Sequence, residues 1–265
     1  MKRLIIANWK MNPETEAAAL QLFSEADAAA RTAKNVSVVV APPFPFLSAI
    51  ERRFNLRDLE ARGEARIHLA AQDVFWEERG AYTGEISPSM EKSLGVSYAI
   101  VGHSERRRVL GETNAMVAKK LKTAFEAGIH PILCVGEEER VGDDIPEAVG
   151  TQLRESVKGV EPLFLESLIV AYEPVWAIGS GRAETPVGMH KAAIYIRKVL
   201  AEVFGEGAGL RASILYGGSV TATNAASFFT ETNGAVSGLL VGGASLDPAE
   251  FQAIIEAADQ AGGGA

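Results

Sequence analysis

The sequence predicts a single-domain α/β protein built as a closed (β/α)8 barrel, and three observations carry that prediction. Eight short apolar runs recur along the 265 residues, helical stretches separate them, and the spacing between runs is even. Each run is apolar on successive positions instead of alternating, as strands buried on both faces of a parallel sheet require. Parallel neighbours cannot be joined by a tight hairpin, so each connection must cross over, usually as a helix.

In chain order the runs are RLIIAN (3–8), VSVVVA (36–41), IHLAAQ (67–72), SYAIVG (97–102), HPILCVG (130–136), LIVAYE (168–173), ASILYGG (212–218) and SGLLVGG (237–243). They recur about every 33 residues, the size of one strand-helix unit. Between them, ETEAAALQLFSEADAAARTA (14–33) and NAMVAKKLKTAFEAG (114–128) have helical spacing, and Gly128 stands where a glycine C-cap is expected. An open doubly wound sheet alternates in the same way, but eight near-equal units favour closure. No linker or compositional shift marks a second domain. Residues 1–258 therefore read as one barrel, with DQAGGGA (259–265) as a disordered tail.

Composition narrows the function. Apolar residues make up 47% and charged residues 23%, an ordinary globular balance. The formal net charge of -8 argues against a nucleic-acid or membrane-binding surface, since either needs Lys and Arg clustered over one face. A small anionic ligand is still allowed, because a few local donors outweigh a global field. The single cysteine, Cys134, cannot form an intramolecular disulfide, and no CxxC or HExxH spacing suggests a metal site. No signal-peptide core or membrane-spanning run is read in the chain, so a cytoplasmic protein is expected.

In a (β/α)8 barrel the active site lies at the C-terminal ends of the strands, so the residues just after each run are the candidates. Glu173 follows LIVAY; a carboxylate at the mouth of an apolar segment, screened from water, is a stronger base than a solvated one. By spacing alone it could equally be a loop acid paired with a cation. His103 opens HSERRR, which reads as a helix start with Ser104 and Glu105 in its first turn, where a histidine is often a structural hydrogen bonder. Lys10 follows the first run; a lone lysine is usually surface charge, but this one sits at a strand end. Gly-Gly pairs at the ends of runs seven and eight suit backbone N–H groups that hold phosphate, or simple tight turns.

Five of these segments, NWK (8–10), GHSERR (102–107), AYEPVWAIG (171–179), YGGSV (216–220) and VGGASL (241–246), resemble the signatures of the triosephosphate isomerase family, in order and spacing. The resemblance runs from about residue 4 to residue 256. It implies a TIM barrel that interconverts dihydroxyacetone phosphate and D-glyceraldehyde 3-phosphate through an enediol(ate), in glycolysis and gluconeogenesis, without cofactor or metal. Residue by residue, it implies Glu173 as the proton-shuttling base and His103 as a neutral imidazole donating to the substrate oxygens, its pKa lowered by the helix end. Lys10 and Asn8 stabilise the enediolate, and Gly179, Ser219, Gly242 and Gly243 hold the phosphate. These assignments belong to the family and are carried over.

The same resemblance makes residues 174–184 a mobile lid, with PVW as its first hinge and Ile178 as an apolar cap that presses on Glu173 together with Leu240. Tyr216 and Ser219 hold the closed lid, Glu137 holds Trp176 when the lid is open, Ser104 supports the site, and Glu105 lies buried close to Lys10. The loop ERGAYTGE (78–85) crosses into a twin subunit, with Thr83 reaching the neighbour's Asn8 and Glu105, so a homodimer is implied.

The chain departs from the family in three places. Its second lid hinge is Arg182-Ala183-Glu184 where Lys-Thr-Ala is common, Asp73 stands where Asn is usual, and the stretch after run five is short. Cys134 reads as a packed structural thiol. Two rival functions stand beside the main one. Another sugar-phosphate barrel enzyme would share the phosphate loops, but a Schiff-base aldolase needs a strand lysine and no run contains one. A catalytically silent barrel used as a binding protein would have no need of intact Glu173, His103 and Lys10.

Overall fold

The computed structural model describes residues 2–179 and 181–261. Eight strands, β1 (Arg3–Asn8), β2 (Val36–Ala41), β3 (Ile67–Ala71), β4 (Val96–Val101), β5 (His130–Val135), β6 (Ile169–Tyr172), β7 (Ser213–Tyr216) and β8 (Gly238–Val241), close in chain order into a barrel. All pairings are parallel, and β8 bonds back to β1. The helices around it are α1 (Glu16–Thr32), α2 (Phe44–Phe54), α3 (Leu56–Ala61), α4 (Pro88–Ser93), α5 (Ser104–Leu110), α6 (Asn114–Glu126), α7 (Glu147–Ser156), α8 (Pro186–Phe204), α9 (Ala208–Arg211), α10 (Ser227–Thr230) and α11 (Pro248–Gln260).

Register explains why the runs are continuously apolar. Ile6 stands opposite Val39 and Leu240, and these join Ile100, Ile132, Cys134, Ala171 and Leu215 inside the barrel. Ile5, one residue away, stands opposite Val38 and Leu239, and this set faces outward against helix residues such as Phe23, Leu47 and Ile255. Alternate residues thus fill two separate cores, and neither strand face meets water.

Helix ends follow local chemistry. The helix expected from 14 begins at Glu16 because the Thr15 side chain accepts the Ala18 N–H and caps it. After α6, Gly128 takes φ +69, the left-handed conformation that makes glycine the natural stop. The short stretch after β5 leads through Pro146 into α7. At the C-terminus α11 continues through Gln260, so the break expected after 258 falls inside a helix that buries Ala258. The remainder of the expected tail, 262–265, lies outside the described residues. No helix among the described residues is long and apolar enough to cross a membrane.

Candidate active site

The ends of β1, β3, β4, β6, β7 and β8 supply the site. At the end of β1, Asn8 is buried and its Oδ1 accepts the Lys10 backbone N–H at 3.0 Å. Lys10 takes a left-handed φ of +53, a conformation that a lysine holds only when its surroundings fix it. Gln72, the first residue past β3, supplies part of that fixing: its Nε2 donates to Lys10 O and Ala41 O, both at 2.8 Å. The Lys10 Nζ then meets Glu105 Oε1 at 2.6 Å.

His103 is the N-cap of α5, and its Nδ1 accepts the Glu105 backbone N–H at 3.2 Å. An Nδ1 that accepts leaves the ring proton on Nε2. That nitrogen lies 2.9 Å from Glu173 Oε1, while Glu173 Oε2 accepts the Ser104 N–H at 2.8 Å. Oε1 has no aligned hydrogen-bond donor despite the short distance, so its grip on the ring is mainly electrostatic. Glu173 is 1% exposed. Its backbone is pressed so closely on β5 that a Cβ at Gly136 would stand 1.7 Å from Glu173 O, which only glycine avoids.

The two titrating groups shift each other. Burial pushes the Glu173 carboxyl up, but the His103 ring and the Ser104 donors outweigh it and hold the pKa below the ordinary carboxylate value. Burial pushes His103 down, yet the adjacent Glu173 carboxylate, 2.9 Å away, carries the ring above the ordinary imidazole value. The lowering expected from the helix end therefore does not describe the free site, because Glu173 rests against the ring. Burial pushes the Cys134 thiol well up, as suits a packed thiol on the barrel interior.

A cavity of about 440 Å³ opens over these groups and is lined by Asn8, Lys10, His103, Glu173, Ile178 and Gly179 on one side. Ser219, Leu240, Gly242 and Gly243 line the other. One cavity thus gathers all the expected catalytic and phosphate-contact positions. The family model described as triosephosphate isomerase matches residues 3–258. The chain belongs to the triosephosphate isomerase family. It is similar to the triosephosphate isomerase of Moorella thermoacetica, 45% identical over 96% of this chain and 98% of that one. Similar relatives carry the same name in Thermus thermophilus, 45% identical over 97% of this chain and 100% of the relative, and in Dictyoglomus turgidum, 40% identical over 96% and 98%.

The other expected positions lie as follows. Ser104, behind Glu173, is buried; Tyr216 is fully buried and its hydroxyl accepts the Glu184 N–H at 2.9 Å. Glu137 Oε1 collects the Trp176 Nε1–H at 3.0 Å and the Tyr172 hydroxyl at 2.7 Å. Trp176 itself sits in a single 3-10 turn, Val175–Ala177. Ser180, within the expected lid, lies outside the described residues. Glu105 touches Lys10 as expected, and in the single chain its side chain is 43% exposed. Thr83 is exposed on the 78–85 loop and lines no part of the cavity.

Three further residues emerge from the structure. Gln72 and Gly217 each directly follow a strand, so the rule that selected Lys10 also reaches them. A Cβ on Gly217 would stand 3.2 Å from Glu173 Cγ, and the glycine leaves the carboxylate room to move. Arg140, which donates twice to Glu137 Oε1 at 3.0 and 2.9 Å, lies in a loop where spacing carries no signal. Among the described residues no group of His, Cys, Asp and Glu is placed to hold a metal ion.

Proposed function

We propose that the chain interconverts dihydroxyacetone phosphate and D-glyceraldehyde 3-phosphate by proton transfer through an enediol(ate), a step of glycolysis and gluconeogenesis, as a cytoplasmic homodimer. The observation that carries the reading is the meeting of Glu173, His103 and Lys10 at one cavity mouth, an acid 1% exposed beside a ring whose proton sits on Nε2.

Glu173 takes the C–H proton next to the substrate carbonyl and returns it to the neighbouring carbon. To reach the substrate it must leave the Ser104 N–H and the His103 ring, losing the interactions that now hold its pKa down, so it becomes more basic where basicity is needed. The ring changes in the opposite sense. Once the carboxylate moves away, burial, the largest influence, and the nearby Lys10 charge lower the imidazole against the smaller pull of Glu105, and it donates from Nε2 as a neutral acid. In this family that neutral role is the standard assignment; the exchange of partners accounts for it here. Lys10 and Asn8 face the oxygen on which charge develops.

Phosphate is held by backbone N–H groups of Gly179, Ser219, Gly242 and Gly243, which requires no additional buried cation. The 174–184 loop acts as a lid with Ile178 over the base, and closure excludes water that would let the enediol phosphate expel its phosphate. For the dimer, support comes from the exposed apolar side chains Met11 and Tyr82 and from the partly exposed Glu105, which Thr83 of a second copy would cover. The direct test is isomerisation of D-glyceraldehyde 3-phosphate by the purified, chelator-treated protein. Turnover is expected; a folded, inactive protein would favour the silent-barrel reading.

A further inference from the structure

We propose that Arg140 and Glu184 are positioning residues that couple the two hinges of the 174–184 lid, so that the hinges move as one unit. This rests on the lid reading above. At the first hinge, Trp176 is held by Glu137 Oε1, and Arg140 donates to that same oxygen through Nε and Nη2. At the second hinge, Arg140 Nη1 meets Glu184 Oε2 at 2.5 Å. One planar guanidinium therefore spans both hinges, with its carbon 5.5 Å from the centre of the Trp176 ring.

The surroundings are arranged for this pair. Glu137 and Glu184 are 3% and 7% exposed, so each depends on Arg140 for its countercharge. The Glu184 carboxylate fills the space left by Gly188, where a Cβ would lie 2.2 Å from Oε1. Its other contacts fix the start of α8: Oε1 accepts the Thr185 N–H at 2.7 Å, and its own N–H is bonded to Tyr216. The Tyr172 hydroxyl, also in contact with Arg140, is raised by burial and by Glu137, and so remains a donor. When Trp176 leaves Glu137, Arg140 faces a carboxylate with one donor fewer, and its attraction to Glu137 and to Glu184 is rebalanced. That is a physical route from one hinge to the other. It also gives a role to the unusual Glu184 of the second hinge.

The test places one fluorine probe at each hinge: 5-fluorotryptophan, with the Trp176 resonance assigned among the three tryptophans by a Trp176→Phe control, and a trifluoromethyl tag on Ala183→Cys, with Cys134 protected by full burial. Relaxation dispersion with dihydroxyacetone phosphate present reads exchange on the microsecond to millisecond scale. The tagged parent is expected to show one common exchange rate at both sites. In Glu184→Gln the two rates should separate by about 3- to 10-fold, with a similar fall in kcat/KM, and Glu184→Asp should restore a common rate. Should Glu184→Gln fail to fold, Arg140→Lys provides the same test, because one ammonium cannot serve both carboxylates in the geometry of the fork. A common rate retained in these variants, or two rates in the parent, overturns the coupling. No exchange at either site in an active parent overturns the lid and the coupling together.

Discussion

Glu173 Oε2 accepts the backbone N–H of Ser104 at 2.8 Å, so this carboxylate rests on the first turn of the helix that His103 caps. In this arrangement the acid is ionised and held by Ser104 and the His103 ring. Glu173→Gln keeps the shape and the Ser104 contact but removes the basic oxygen. Turnover of D-glyceraldehyde 3-phosphate should fall by on the order of 10²- to 10⁴-fold, while circular dichroism and sedimentation stay those of the parent. An active variant would sink the assignment of the base.

The Glu173–His103 pair also sets a pH profile. Against burial, the Glu173 carboxylate and the His103 ring favour each other's charge in the free enzyme, so the carboxyl lies below its ordinary value and the ring above its own. The reaction uses the ring neutral, so the acid limb of kcat/KM, which reports the free enzyme, should lie above the ordinary imidazole range. His103→Gln removes the ring, so that limb should disappear and leave only a carboxylate limb, with activity down by about 10²- to 10⁴-fold. Titrating kcat/KM of both proteins checks this; an unmoved limb would mean that the ring does not set it.

The strands are readable because their two buried faces make whole runs apolar, and the rim is readable because most of the candidates stand at or just past the C-terminal end of a run. Side-chain geometry is not. Glu105 is partly exposed in the single chain, and its burial depends on what a second copy covers, which no spacing encodes. Arg140 reaches Glu184 only through the conformation of the loop after β5, which no periodicity encodes. His103 was expected to be lowered and is raised, because its charge state depends on where Glu173 rests. Asp73, unresolved in sequence, turns out to pair with Lys120 at 2.6 Å and Arg106 at 2.7 Å.

Gln72 supports the left-handed Lys10 through its bond to Lys10 O. Gln72→Leu keeps the volume and removes the donor, leaving two carbonyls without it, at a cost of about 1 to 3 kcal/mol. Lys10 then has more freedom, and KM for D-glyceraldehyde 3-phosphate should rise more than kcat falls. Chemical denaturation together with steady-state kinetics reads both effects. A loss of stability with unchanged KM would make Gln72 a packing residue alone.

Beside Asp73 lies Glu91, 1% exposed, with Oε2 lacking a hydrogen-bond partner. Burial first, and the Asp73 charge second, push its carboxyl from 4.5 up to about 9. A raised carboxyl binds its proton more tightly when folded, so its stabilising contribution is full below pH 4.5 and is lost as pH rises to about 9. Stability of the parent should accordingly decline across that window. Glu91→Gln cannot ionise and should flatten the decline, with a gain on the order of 2 kcal/mol at pH 8 relative to pH 5. Asp73→Asn, by removing the neighbouring anion, should shift the Glu91 titration to lower pH. Urea unfolding of the three proteins at a series of pH values measures these slopes; equal slopes in parent and Glu91→Gln would show that Glu91 titrates alike in the folded and unfolded chain.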